Sequence, residues 1–247
     1  MRTIIKLYST IVLLHVSLPV ISSPLQQSQN NIAKGVMIRD AYSPYTAKDE
    51  PANSTKDSSI ITLRDTSFNQ INTKLKVAAL RLKQNTASIE AYVKENDFNP
   101  EYCFMVDMSI PSGKKRFFIY NIKKDVVEYS ALVSHGSGSY KIGCNDQLVF
   151  SNMPNSYATS LGKYKIGSVY NGMYGLSYKL YGLDSTNNNA YQRAIVLHSD
   201  SYVPEKETYP RHIFESSGCP AVSPVFLAEI GKYIRTSAKP MLLWIYN

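Results

Sequence analysis

A β-rich α+β fold is what this sequence predicts, on three observations. Between Cys103 and Ser134, and again from Ala194 onward, short runs dense in aromatic and β-branched residues alternate with turn residues. Helical apolar spacing precedes the first of these runs and recurs near the C-terminus behind a Ser-Pro start. The interval from 134 to 190 is rich in Gly, Ser, Asn and Tyr, a composition typical of loops that line a cleft.

The beginning of the chain reads as a targeting segment. Arg2 and Lys6 give a basic start, Ile11 to Ile21 is mainly apolar, and Ser22-Ser23 before Pro24 supplies small residues for cleavage after Ser22. The apolar run is short for a bilayer span, and no Cys nearby marks a lipid anchor. We therefore expect a signal peptide over 1–22, a polar flexible tether over 23–65 rich in Ser, Asn, Gln, Asp and Pro, and one domain over 66–247. Removing Arg2 and Lys6 lowers the formal charge from +8 to about +6. A basic exported chain suits polyanions such as an anionic membrane face or a carboxylate-rich wall. The positive charges are scattered, with no zinc knuckle, RNP-like run or helix-turn-helix, which disfavours nucleic acid.

Within the domain, Ile71, Leu75, Ala78 and Leu82 recur at helical spacing, and a second helical piece is expected over Ser88 to Glu95, ended by Pro100. Strands are expected over Phe104–Ser109, Arg116–Asn121 and Val126–Ser134, with turns at Pro111-Ser112-Gly113 and Lys123-Lys124-Asp125. Shorter strands follow at Gln147–Ser151, Leu161–Ile166 and Ser177–Tyr181, and Ala194–Leu197 delivers His198 at its end. Ser223 is a good N-cap with Pro224 at the first helical position. Leu227, Ile230 and Ile234 form one face of that helix, and Met241–Tyr246 reads as a buried final strand.

The chemistry centres on the cysteines and histidines. Cys103, Cys144 and Cys219 are an odd number for an oxidising compartment, so at least one thiol is left over; pairing of Cys103 with Cys144 stays open. Cys219 sits in Ser216-Ser217-Gly218-Cys219-Pro220, where small residues let backbone N–H groups turn toward a reacting atom. The N–H groups of Gly218 and Cys219 are oxyanion-donor candidates, and one preorganised donor contributes roughly 3–4 kcal/mol. A free thiol ionises near pH 8.5, so a base is needed; His198, at a strand end, is the natural partner, with the Ser199 carbonyl to orient it. A lone Cys with a His upstream also fits a buried structural thiol, and spacing alone does not choose between the two.

His198, followed after a gap by Ser-x-Gly-Cys, resembles the signature of L,D-transpeptidases, in particular the murein L,D-transpeptidase catalytic domain family. The likeness runs in order through Val106-Asp107, Lys115 to Ile119, Ser134-His135-Gly136, Phe150-Ser151-Asn152, Ser160-Leu161-Gly162 and Tyr178 to Leu183. It continues through Arg193 to His198, Tyr202-Val203 and Ser216 to Ala221, covering roughly residues 70 to 247. The resemblance implies a sandwich or barrel-like sheet with peripheral helices, Cys219 as acylated nucleophile and His198 as base. It also implies a Gly218 contribution to the oxyanion hole, and the Ser199 carbonyl as orienting group. The implied reaction forms a thioester with a tetrapeptide stem of peptidoglycan, releases D-Ala and passes the acyl group to an amine acceptor, in the periplasm or cell envelope. The sequence departs from the broader signature at Ser217, where a second His stands, and at Pro220-Ala221, where an apolar residue and then Arg or Asn follow the Cys. Glu215 stands where the subgroup often carries Arg.

Other residues have competing readings. Ser216, Ser217, Tyr202, His135 and Arg211 are candidates for substrate contact, yet His135 suits a structural loop role as well. His212 reads as a solvated loop residue, and Arg193 either as a carboxylate binder or as a structural ion pair. Tyr170, Tyr174 and Tyr202 are either a sugar-peptide platform or rim packing. No close Cys/His pair of the zinc type exists, and acyl transfer needs only nucleophile, base and oxyanion hole, so no metal or organic cofactor is expected. The rivals are an L,D-carboxypeptidase using the same residues and a non-catalytic wall-binding module with a structural Cys219.

Overall fold

The computed structural model describes residues 58–140 and 147–247, with side chains from Lys76 onward. The expected signal segment, the tether as far as residue 57, and Cys144 lie outside the described residues.

Eight strands form one mixed sheet: β1 (Tyr102–Asp107), β2 (Phe117–Asn121), β3 (Val126–Ala131), β4 (Gly162–Gly172), β5 (Gly175–Gly182), β6 (Val196–Ser199), β7 (Ala221–Val222) and β8 (Leu242–Tyr246). Their order is β3-β2-β1-β8-β4-β5-β6-β7. The β1–β8 and β6–β7 pairs are parallel, and the other neighbours are antiparallel. The central strands read as unbroken apolar runs because both of their faces are covered. Phe104, Val106, Phe117, Ile119, Leu243 and Ile245 point into one core, while Cys103, Met105, Phe118, Tyr120, Leu242 and Tyr246 point into another. That division follows from the two-residue period of a strand. Burying each large side chain stabilises by roughly 1.5–3 kcal/mol.

Helix α1 (Ser58–Glu95) covers the second face with Ala78, Leu82, Ile89 and Val93. It is one helix where the sequence suggests two pieces, and it begins inside the segment expected as tether. Its end is a left-handed cap: Asp97 has φ 57°, and the Phe98 N–H reaches back to the Val93 carbonyl at 2.9 Å. Phe98 and Val93 share the apolar cluster beneath, the contact that accompanies such a cap.

Helix α2 (Pro224–Thr236) covers the first face through Phe226, Leu227 and Ile230. The Ser223 side chain accepts the Phe226 N–H at 3.1 Å, which makes it the N-cap the sequence suggests. Phe226 sets its ring edge-on to Phe117, with centroids 5.0 Å apart.

Two expectations need correction. Gln147–Ser151 is not a strand; it bonds to neighbouring loops, through Val149 N–H to the Ser139 carbonyl and Ser151 N–H to the Thr159 carbonyl. Strand β3 ends at Ala131, not Ser134. The chain beyond it crosses to the far edge of the sheet. Ser134 N–H donates to the Ala221 carbonyl on β7 at 2.8 Å, and Ala221 N–H returns a bond to Ser134 Oγ at 3.0 Å. A parallel bridge then joins Gly136 to Ser216. The two edges of the sheet meet along this seam, giving the barrel-like closure.

Candidate active site

The nucleophile candidate lies on that seam. Strand β7 carries Ala221 beside His198 of β6, in parallel register, and Cys219 stands two residues upstream of Ala221. Cys219 and His198 are thus delivered from adjacent strands. Cys219 keeps 8% of its surface exposed.

Ser216 organises the loop that precedes Cys219. Its Oγ accepts the Gly218 N–H at 3.2 Å and lies within bonding distance of the Cys219 and His135 carbonyls. Its own N–H donates to the His135 carbonyl. Gly218 takes φ +112°, a conformation that favours glycine. The Gly218 N–H, expected to point toward a reacting oxygen, is therefore spent inside the loop. The Cys219 N–H has no acceptor among the described residues.

The sulfur rests against the turn that leads into β6. Val196 N–H donates to Sγ at 3.5 Å, and the Ala194 carbonyl lies 3.9 Å away. Ala194 itself is left-handed, with φ 55°. No hydrogen bond joins Sγ to the imidazole among the described residues. Burial pushes the Cys219 thiol pKa up, opposed by the Val196 N–H and the Arg193 guanidinium.

His198 is 2% exposed and its Nδ1 lies 3.0 Å from the Ser199 carbonyl oxygen. A carbonyl only accepts, so Nδ1 carries the proton and Nε2 is the basic nitrogen. Burial lowers the imidazole pKa, while the Ser199 carbonyl and the Asp200 carboxylate hold it up. Both shifts favour the neutral form of the group concerned. The Tyr174 ring stacks on the His198 ring, with centroids 4.2 Å apart and planes at 21°.

The other sequence candidates divide. His135 is buried behind the loop and takes a hydrogen bond from Arg116 Nη2 to Nδ1 at 2.9 Å. Burial, the Arg116 charge and His212 drive its pKa down to about 3, so it is a neutral acceptor. Its Nε2 has no hydrogen-bond partner among the described residues and stands 3.9 Å from Glu215 Oε1. Ser217 is exposed beside the nucleophile. Tyr202 is 75% exposed and leans on Phe214, with centroids 5.9 Å apart. Arg211 is exposed, and its carbonyl bonds Thr208 Oγ1 rather than any part of the Cys219 loop. His212 Nδ1 lies 3.3 Å from Ser112 Oγ. Sequence reasoning passed over Asp200, which acts on His198 from two residues away.

The model of the L,D-transpeptidase catalytic domain family matches residues 72–246. Solved structures similar to this chain include an L,D-transpeptidase (residues 123-326) from Xylanimonas cellulosilytica, 12% identical with a TM-score of 0.34, which covers 63% of this chain and 68% of that one. The helical cell shape determining protein Pgp2 from Campylobacter jejuni is 11% identical with a TM-score of 0.39, covering 60% and 48% respectively. An L,D-transpeptidase from Mycobacterium tuberculosis is 14% identical with a TM-score of 0.31, covering 60% and 58%. The chain thus spans only part of each of these proteins. No curated protein matches it. Among the described residues no helix is long and apolar enough to cross a membrane.

Proposed function

This chain belongs to the L,D-transpeptidase catalytic domain family, and from that premise we propose that it modifies peptidoglycan through Cys219 as nucleophile and His198 as base. The observation that carries this reading is the Nδ1–Ser199 carbonyl contact at 3.0 Å, which leaves Nε2 as the basic nitrogen of a His198 paired with the strand that follows Cys219.

The donor substrate is a tetrapeptide stem. Sγ attacks the carbonyl before the terminal D-Ala, and His198 Nε2 takes the thiol proton as the S–C bond forms. The Cys219 N–H, unengaged by any acceptor among the described residues, is the backbone donor for the developing oxyanion. His198 then hands its proton to the amine of the departing D-Ala, leaving a thioester on Cys219. An amine of a neighbouring stem resolves the thioester, which restores the thiol and makes a cross-link. Ser216 keeps the nucleophile loop in shape, and Ser217, Tyr202 and Phe214 form the exposed rim on which a stem can rest. Catalytic contacts are commonly long before substrate enters and tighten in the complex, which accommodates a resting sulfur held by Val196 N–H. The site of action is the wall, outside the cytoplasm, consistent with the expected export segment.

The test is mass spectrometry of the protein mixed with purified tetrapeptide stems. The expected result is a stem acyl adduct on Cys219, less one D-Ala, followed by cross-linked dimers. Cys219→Ser should lose both. An intact thiol after prolonged incubation would sink the reading, and trimmed stems without dimers would assign the hydrolytic outcome instead.

A further inference from the structure

Among the described residues Arg193 is a cation without an anion. Its Nη1 donates to the Ser151 carbonyl at 2.9 Å and to Ser160 Oγ at 3.2 Å. Its Nη2 donates to the Ala158 carbonyl at 2.6 Å and to Ser156 Oγ at 3.2 Å. All four acceptors are neutral, and among the described residues no acidic side chain pairs with it. The guanidinium is only partly exposed, so its charge is solvated by dipoles and not cancelled.

That charge sits beside the nucleophile. Nη2 lies 3.3 Å from the point where a Cβ on Gly218 would stand, and the Ala158 carbonyl it holds lies 3.1 Å from the same point. Glycine at 218 is what lets a guanidinium come this close to the peptide that carries Cys219. The same turn supplies the other polar neighbours of the sulfur, the Ala194 carbonyl and the Val196 N–H. Three residues of one short stretch, Arg193, Ala194 and Val196, therefore bring a charge, a carbonyl and an N–H to the surroundings of one side chain.

We propose that Arg193 is the positioning residue that supplies fixed positive charge to Cys219 and to the anionic intermediate formed on it. The proposal rests on Cys219 being the nucleophile. A structural ion pair, the usual fate of an arginine beside a strand, requires an acid that the described surroundings lack. A cation beside the residue that precedes a thiol favours the thiolate over the thiol, and the same charge favours the oxyanion. The direction agrees with the pull that the guanidinium exerts on the thiol against burial.

Holding the loop is a separate service of the same side chain, and charge can be parted from it. Lysine keeps the charge but loses the planar fork that grips four acceptors. The experiment is alkylation of Cys219 by iodoacetamide across pH 6 to 10, read peptide by peptide by mass spectrometry, on the full chain and its Arg193→Met and Arg193→Lys variants. Arg193→Met should displace the alkylation curve to higher pH and slow the reaction at pH 7 about tenfold, while Arg193→Lys keeps the wild-type curve. A wild-type curve in Arg193→Met overturns the proposal, as does an equal displacement in both variants, which would assign Arg193 to loop support alone. Where Arg193→Met does not fold, Arg193→Lys decides by the same criterion. Alkylation needs no substrate, so a wild-type protein that alkylates normally but never takes up a stem would count against the transpeptidase mechanism and leave this result standing.

Discussion

Gly136 and Gly218 meet backbone to backbone: a Cβ on Gly136 would stand 2.7 Å from the Gly218 Cα and 2.9 Å from its nitrogen. The contact closes the seam where the two edges of the sheet join, directly beside the nucleophile. Gly136→Ala forces main chain against main chain, which no rotamer change relieves. Overpacking of this kind costs about 1–3 kcal/mol, or roughly 2–12 °C in Tm for a domain of this size. Acylation of Cys219 should slow with it. A melting temperature equal to that of the wild type would show that the seam yields freely.

Much of this arrangement was legible in the sequence, and the gaps have physical causes. Strands β1, β2 and β8 announce themselves because both faces are buried, so nearly every residue is apolar. Helix α1 looks broken because Lys83 to Thr86 is polar. Thr86 nevertheless occupies an inward position, and it satisfies its hydroxyl on the Lys83 carbonyl at 2.9 Å. Strand β7 has two residues, too few for any period to show. The motif around Cys219 was readable as a nucleophile loop. The guanidinium that stands beside it was not assignable, because the acceptors that hold Arg193, on the 151–160 loop, lie 33 to 42 residues away along the chain.

Activity should depend on pH through His198. Burial lowers its pKa below the ordinary value, and Asp200 partly offsets this. The base form is therefore present throughout the neutral range, and the acid limb of kcat/KM should fall below pH 6.5. Asp200→Asn removes a group that holds the pKa up, so the limb should move to still lower pH. A limb that moves upward in this variant, measured on stem peptides, would contradict the assignment.

Stability in acid should be governed by His135. Its pKa is about 3 in the fold, set by burial, the Arg116 charge and His212, against about 6.5 in an unfolded chain. A lowered histidine pKa leaves its contribution intact above pH 6.5, and that contribution drains away as pH falls from 6.5 toward 3. The loss amounts to about 4 kcal/mol at the acid end. His198 shifts in the same direction and adds to it. His135→Gln keeps an acceptor for Arg116 without a titrating group, so its urea midpoint should vary less over this window than that of the wild type. Equal slopes would remove His135 from the account.

Neighbouring serines in the nucleophile loop should behave differently. Ser216 is buried and bonds the Gly218 N–H, while Ser217 faces solvent. Ser216→Ala leaves a buried N–H without its acceptor, at a cost of about 1–3 kcal/mol, and lets the Cys219 peptide drift from its place. Acylation should fall about five- to 150-fold if that whole cost reaches the transition state. Ser217→Ala should keep the wild-type Tm and alter only the apparent KM for stems. Matching losses of Tm in both variants would mean that Ser217 also holds the loop.

The buried carboxylate of Asp107 ties α1 to the sheet. Arg81 on the helix grips it through Nε at 3.2 Å and Nη2 at 3.1 Å, and Arg81 also bonds Ser109. Asp107 acts in turn on the buried Arg116, the residue that fixes His135. Arg81→Met strips the partner from a carboxylate whose side chain is 1% exposed, and an orphaned buried charge is costlier than the pair is worth. The remaining attraction to Arg116 and the Ser109 N–H bond at 3.0 Å soften the loss, so a destabilisation of about 2 kcal/mol is expected. Adding Asp107→Asn should then cost less than it does in the wild type, because only its attraction to Arg116, and no longer its pairing with Arg81, is left to lose. Strictly additive losses in that double variant, measured by urea unfolding, would show that the two side chains act independently and that α1 is held by its apolar face alone.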